Sequence, residues 1–532
     1  MKRIYIPLFA AAGFLFMPGC TKDDFKPKNP YESDKVPLGI TFSKELVTPE
    51  EGAPLGGEVT LSGSGFLKYK DSLTVKFNGE KAEILNLTDV AIKVKVPAWA
   101  STGIISLVVN GEVLLGPDYQ IQGLLQQESS FNAKIGSNGV IGDVLQLSDG
   151  KFIFTGSFSD YGNSFSKDGI NNIVCVEPDG NRDRSFRSGR GATGAIYSIR
   201  QQQQGTNRGK LIIAGDVTSY ARIGTEKRNS PVNRITRLNE NGSLDTLRIQ
   251  TYTNRDTILP AFAGGVDGGV AKIKILPDDK IIVAGTFRYY LRNIYDRPSS
   301  TLQDTVVTDS IRIPTIVRLL PDGNIDSSFN YLPGQKKGKE GANGPIFDMH
   351  VQADGKIILV GEFTKFNGTG ANRIVRLLPD GTVDGSFNVG AGADGTIATI
   401  CATTSGKFIL GGFFSNFNGT AAPRIAAVDG TGKVDAGFKI DGTGPESVVS
   451  NITELANGVL AVSGSYSRFN GLNRKGLVFL KSNGSLHEQL NTVSGTNGSI
   501  IGFFPVGNSF FAAGGFTKFD RIPCGGIIRL KY

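Results

Sequence analysis

The sequence predicts an all-β protein in two parts, a small Ig-like β-sandwich followed by a seven-bladed β-propeller. Three observations predict it. After residue 140 one pattern recurs seven times: a Gly turn, an apolar run, Gly-x-aromatic, a loop, another apolar run, then Asp-Gly or Asn-Gly. A period near fifty residues with several short strands is the signature of a propeller blade. Upstream, residues 37–123 alternate apolar strands with Asn-Gly and Pro-Gly punctuation, which marks a β-sandwich. Glycine supplies 70 of 532 residues, about 13 % against a usual ~7 %, without a collagen period, so it serves many tight turns.

The chain opens on an export signal, residues 1–19. Lys2 and Arg3 precede the apolar run Ile6 to Met17, and Pro18-Gly19-Cys20 follows. The run is short for a spanning helix and has signal-peptide flanks. A Cys directly after a small residue resembles a bacterial lipobox, which implies lipidation at Cys20 and anchoring without a spanning helix. Lys22, Asp23 and Asp24 then resemble the surface-export signal of Bacteroidota lipoproteins. Residues 20–36, with Pro27, Pro30 and several charges, read as a flexible tether. Loss of Lys2 and Arg3 with the signal takes the net charge from +8 to +6. That is modest for this length, no long basic run exists, and nucleic acid is not an expected partner. Cys175, Cys401 and Cys524 lie among apolar strand residues and read as buried free thiols rather than a disulfide framework or a zinc site.

Residues 37–123 carry Gly57-Glu-Val-Thr-Leu-Ser-Gly63-Ser-Gly65-Phe66, Val75-Lys-Phe-Asn78-Gly79, Ile92-Lys-Val-Lys-Val-Pro97 and Gly103-Ile-Ile-Ser-Leu-Val-Val109-Asn-Gly111. This order closely resembles the TIG/IPT immunoglobulin-like family, whose members in surface lipoproteins commonly act as spacers. Trp99, in the loop from Pro97 to Gly103, either stacks on a sugar ring or packs at the domain junction.

The cleanest repeat runs from Ile346 to Gly392, with four expected strands near 346–352, 356–363, 373–379 and 383–389. The glycine before the aromatic or its substitute stands at Gly156, Gly215, Gly285, Gly361, Gly412, Gly464 and Gly515. The seventh unit ends at Tyr532 without its Asp-Gly turn and Ser-Phe strand. Ser129-Ser130-Phe131-Asn132 resembles Gly385-Ser386-Phe387-Asn388, so this segment is expected to supply the outer strand of the last blade and close the ring over residues 124–532. The units resemble the delta-60 family of propeller repeats, common in secreted and surface bacterial proteins.

Antiparallel order places the second-to-third-strand loops and the blade-to-blade connections on one face. Nearly all insertions fall there, near 216–233, 246–269, 288–315 and 331–345. Long loops in a compact domain often carry function. Arg288, Tyr289, Tyr290, Arg292, Tyr295 and Arg297 suit stacking plus hydrogen bonding, and Tyr220 and Arg222 extend the same rim. An alternative is a hairpin that covers neighbouring blades. Phe366, Phe417, Phe469 and Phe519 recur with the fold and read as packing. Ser72, Thr246, Thr257, Thr305 and Ser310 sit in Asp-Ser/Thr-apolar triplets that resemble the O-glycosylation triplet of Bacteroidota.

No Gly-x-Ser-x-Gly elbow, Walker loop, EF-hand spacing or metal-spaced His/Cys cluster occurs, so no catalytic residue, metal or cofactor is expected. His350, in an inner strand, reads as core or channel wall. Carboxylates from distant blades can still meet at the axis. The expected function is capture of a nutrient, glycan or peptide, by a cell-surface lipoprotein beside a TonB-dependent SusC/SusD-type transporter of the outer membrane. The alternatives are a structural subunit of another outer-membrane complex and, third, a polysaccharide-degrading propeller enzyme.

Overall fold

A computed structural model describes residues 38–162, 170–221, 229–250, 256–262, 264–294 and 307–532. Cys20, Lys22, Asp23, Asp24, Arg222, Tyr295, Arg297 and Thr305 lie outside these residues. No described helix is long and apolar enough to cross a membrane.

The N-terminal part is an Ig-like sandwich. One antiparallel sheet orders Thr41–Thr48, Glu58–Ser64, Ala91–Lys95 and Glu83–Leu87, and the other Glu80–Lys81, Leu73–Phe77, Gly103–Val109 and Glu112–Tyr119. Leu73–Phe77 alternates buried and half-exposed residues, as a strand with one face on a core must. Val59, Leu61, Val75, Phe77, Ile92 and Leu107 form the centre of that core.

The C-terminal part consists of propeller-type repeats. Among the described residues, seven of its antiparallel sheets share one plan, with first strands at Val140–Gln146, Ile196–Gln201, Val270–Ile275, Ile346–Val351, Thr396–Ala402, Val449–Glu454 and Ser499–Val506. Each first strand pairs with the next in sequence order within its sheet, as Ile346–Val351 does with Ile357–Gly361 and then Ile374–Leu377. The second and third strands are buried on both faces, which is why they read as unbroken apolar runs such as Ile357-Ile-Leu-Val-Gly361. The first strand of each sheet touches the first strand of the following sheet, and that of the seventh touches that of the first.

The repeat glycine has a steric cause. In every sheet the first strand bulges by one residue opposite it, as between Ile346 and Asp348. A Cβ at Gly361 would lie 2.1 Å from the Pro345 carbonyl oxygen, and one at Gly412 2.1 Å from that of Thr396. In the seventh sheet the equivalent residue is Gly514, opposite Ile500, rather than Gly515.

The expected fourth strand near 383–389 does not form. Only Val383 bridges back to Leu377. Asp384 instead turns the chain: its Oδ1 accepts from the Ser386 N–H (2.9 Å) and hydroxyl (2.6 Å), and its Oδ2 accepts from Arg376 Nε (2.8 Å). The Arg376 guanidinium lies over the Phe387 ring at 4.5 Å and donates to the Gly430 carbonyl of the next sheet at 2.6 Å. Arg318 with Asp326, Ser328 and Phe329 repeats this clasp and reaches the Pro379 carbonyl at 2.5 Å. A side-chain clasp thus holds the outer edge where a ladder was expected.

The same replacement holds at Ser129 to Asn132, which is not a strand. Gln126–Gln127 pairs with Leu530 and Lys531, and the Glu128 N–H donates to the Arg529 carbonyl at 2.9 Å. Glu128 takes the place of Asp384 and accepts from the Ser130 N–H at 3.4 Å. Phe131 is buried, and the Asn132 N–H bonds the Asp179 carbonyl of the first sheet at 2.9 Å, as Asn388 bonds Thr431 at 2.8 Å. These bonds join the two ends of the repeat region.

Candidate functional site

The face that carries the insertions is built of hairpins. Tyr289–Ile294 pairs with Val307–Arg312 and with Gly264–Val266, and Thr246–Gln250 pairs with Asp256–Pro260. The second-to-third connection of the second sheet extends its strands to Ala221 and from Asn229. The sandwich docks on this face over the sixth and seventh sheets. The Thr102 N–H donates to the Thr492 carbonyl at 2.7 Å, and Asn473 Nδ2 to the Asn78 carbonyl at 2.7 Å. The buried Arg474 donates to the Ser101 hydroxyl at 3.0 Å and the Trp99 carbonyl at 2.9 Å.

Three expected binding residues are structural. Trp99 is half-buried and packs against the core between the fifth and sixth sheets, which makes it a junction residue. Tyr220 and Tyr290 are fully buried, and their hydroxyls donate to the Gly242 and Gly323 carbonyls at 2.9 and 2.7 Å. Burial pushes both phenols well above their ordinary value. The sequence held the signal for this. Tyr161, Tyr220 and Tyr290 stand five residues after Gly156, Gly215 and Gly285, as Phe366, Phe417 and Phe469 do after Gly361, Gly412 and Gly464. All occupy one packing position of the repeat, and Phe366, Phe417, Phe469 and Phe519 are likewise buried.

Strand alternation separates Tyr290 from its neighbours. Tyr289 is 41 % exposed, and Arg292 is exposed. Tyr289 pairs across the hairpin with Arg312, and its N–H, like that of Arg288, donates to Asp267 Oδ1, at 2.8 and 2.9 Å. Arg288, Tyr289, Arg312, Glu340 and Asn343 line an open cleft of about 600 Å³ between the third and fourth sheets. Its chemistry is one flat apolar ring, two guanidiniums, one carboxylate and one amide. Ser72, Thr246 and Ser310 are exposed, and Thr257 stands in the strand Asp256–Pro260. Asp245, ahead of Thr246, is buried in a clasp with Arg237 at 2.6 Å.

A second cavity, of about 510 Å³, runs along the first strands of all seven sheets. Register places their side chains in layers: the bulge residues include Tyr197, Phe347 and Ile501, all exposed, and three positions further on stand Arg200, Lys274, His350, Thr453 and Phe504. Asp143 and Asp348 both line this cavity, so carboxylates do reach the axis. Burial pulls His350 below its ordinary value, and the nearby Lys274 charge adds to that. His350 is a channel-wall residue whose ring packs against Phe408, 5.6 Å between centroids. Cys175, Cys401 and Cys524 are buried and free. No group of three or more His, Cys, Asp or Glu suited to a metal occurs among the described residues.

The architecture is that of an all-β protein with an Ig-like domain and propeller-type repeats. Residues 45–122 match the IPT/TIG domain. Residues 147–186, 209–247, 308–329 and 352–387 match the family described as "Domain of unknown function (DUF5122) beta-propeller". No curated protein matches the chain. Similar solved structures include the Dos1 propeller, at 13 % identity over 76 % of this chain and 96 % of that one, TM-score 0.34. An auxiliary nutrient binding protein from Bacteroides thetaiotaomicron is 12 % identical over 83 % of this chain and 97 % of its own, TM-score 0.21. A surface glycan-binding protein from Prevotella bryantii is 10 % identical over 44 % of this chain and 48 % of its own, TM-score 0.14. Scores this low carry no functional argument.

Proposed function

We propose that the chain is a binding protein of the cell surface that captures a glycan or peptide beside a TonB-dependent SusC/SusD-type transporter, and that it does not turn its ligand over. In this reading Cys20 carries the lipid, residues 20–36 are the tether, the sandwich is the spacer, and residues 124–532 are a seven-bladed propeller closed by its own ends. The observation that carries the binding role is Tyr289, exposed beside Arg288 and Arg312 over the cleft between the third and fourth sheets. A flat ring offers stacking area at little entropic cost, and guanidinium forks direct hydrogen bonds to hydroxyls or carboxylates. A lipid tether holds a weak binder near its transporter, so modest affinity suffices.

The test is recovery of the chain from native outer membranes, followed by glycan and peptide arrays with the wild-type chain and Tyr289→Ala. Copurification with a transporter and a SusD-like protein, plus a ligand lost in Tyr289→Ala, is the expected result. Copurification with an unrelated barrel protein and no array ligand would favour the structural-subunit alternative.

A further inference from the structure

The charges of the axial channel do not cancel. Asp143 accepts from the backbone N–H of Val144 (3.0 Å) and of Ile199 (2.9 Å), and from Arg200 (2.6 Å). Asp348 accepts from the N–H of Met349 (2.9 Å) and Ile400 (3.1 Å) and from the Thr399 hydroxyl (3.3 Å), and Lys272 Nζ lies 3.7 Å away. Each carboxylate therefore has its own cation and a set of fixed donors. Lys274 is a third cation on the same wall, and among the described residues no carboxylate lies within ion-pair distance of its Nζ. Register puts it in the layer of Arg200 and His350, on the first strands to either side. The opposite wall carries Asn451 and Thr453 and, next to them, an apolar patch: Ile452 and Phe503 are buried beneath it, and Phe504 and the exposed Ile501 face the channel.

We infer that the axial channel binds a small carboxylate with an apolar body, the carboxylate on Lys274 and the body against Phe504 and Ile501. One surplus positive charge is balanced by one negative charge. A phosphate dianion would reverse the imbalance instead of removing it. An anion on a partly desolvated ammonium also gains a charge-assisted hydrogen bond of the stronger kind. The volume of about 510 Å³ lies in the range of small-molecule sites. This site is separate from the Tyr289 cleft.

The probe is benzoate, with saturation-transfer NMR on the mature chain. Binding to the wild-type chain is expected, with at least a tenfold loss of affinity in Lys274→Met and none in Lys433→Met, an exposed turn lysine. Phe504→Ala, which keeps the charge, should weaken benzoate and leave acetate unchanged. It gives a second reading if Lys274→Met folds poorly. Tyr289→Ala should leave benzoate binding intact, so failure at the cleft and failure at the channel are told apart. No benzoate binding, equal binding in Lys274→Met, or displacement of benzoate by an equal concentration of inorganic phosphate would each overturn the inference.

Discussion

Replacing Arg376 by Met tests whether the clasps hold the outer edges of the repeats. The Arg376 and Asp384 side chains are 6 % and 7 % exposed, so the pair is buried. The change leaves Asp384 with the Ser386 donors alone, removes the bond to Gly430 in the next sheet, and keeps an apolar stem over Phe387. Breaking a buried pair by removing one partner costs about 3–5 kcal/mol. One route reduces that loss. Lys356, now paired with Asp354 at 2.9 Å, stands where Lys407 stands in the fifth sheet, and there Lys407 is the cation on Asp435, beside the Gly437 N–H, at a sheet that has Ala427 in place of the arginine. Arg376→Met should therefore lose less than the full amount, Lys356→Met alone under about 0.5 kcal/mol as an exposed pair, and the double variant about 3–5 kcal/mol. The assay is guanidinium unfolding of the mature chain, read as midpoints at unchanged slope. The acid limb gives a second reading. Burial alone would raise the Asp384 carboxyl, but the bonds from Ser386 and Arg376 outweigh it and hold it below the usual carboxylate range. Its contribution is thus complete above that range and disappears as pH falls through the lower folded-state value. The double variant should show a shallower acid limb. A double variant within about 1 kcal/mol of wild type would refute the clasp as a structural device, and strictly additive losses would refute the relief by Lys356.

Tyr289→Ala should abolish array binding without moving the unfolding midpoint, whereas Tyr290→Phe should keep binding and cost about 1–3 kcal/mol by leaving the Gly323 carbonyl unpaired, both read by arrays and denaturation. Gly412→Ala puts a Cβ 2.1 Å from the Thr396 carbonyl oxygen and should cost more than about 3 kcal/mol, against little change for Gly419→Asn at an open turn, checked by midpoint. Arg474→Met removes the donor from the Trp99 carbonyl and the Ser101 hydroxyl and, combined with Asn473→Ala, should loosen the sandwich from the repeats, seen as a larger radius of gyration in solution scattering at an unchanged far-UV spectrum. The native thiols should stay unreactive toward a disulfide reagent, since burial pushes Cys175 and Cys401 up to about 12 and Cys524 to about 11.

Much of the fold was legible in the chain. Period, glycine and turn dipeptides are local quantities, and backbone sterics fix them residue by residue. That is why the strands at Ile357–Gly361 and Ile374–Leu377 fall within a few residues of their expected bounds. The buried role of Phe366 was legible for the same reason. Tyr220 and Tyr290 depart from the binding role expected of them because Tyr with Arg in a long loop has the composition of a binding rim whatever its packing. Their distance from the repeat glycine already placed them in the core, and the Gly carbonyls that receive their hydroxyls lie 22 and 33 residues away.

The amino-acid sequence alone thus determined the β class, the sandwich, the repeat and the face that carries the insertions, because each depends on contacts between near neighbours. Tertiary structure alone decided which residues meet. It replaced the fourth strand by the Arg376–Asp384 clasp, since that clasp needs a carbonyl 54 residues on, in the next sheet. It turned Trp99 into a junction residue through Arg474, 375 residues distant. It also gathered Asp143, Arg200, Lys272, Lys274 and Asp348 around one axis, where burial and the sum of their charges, properties of no single segment, leave one cation unbalanced.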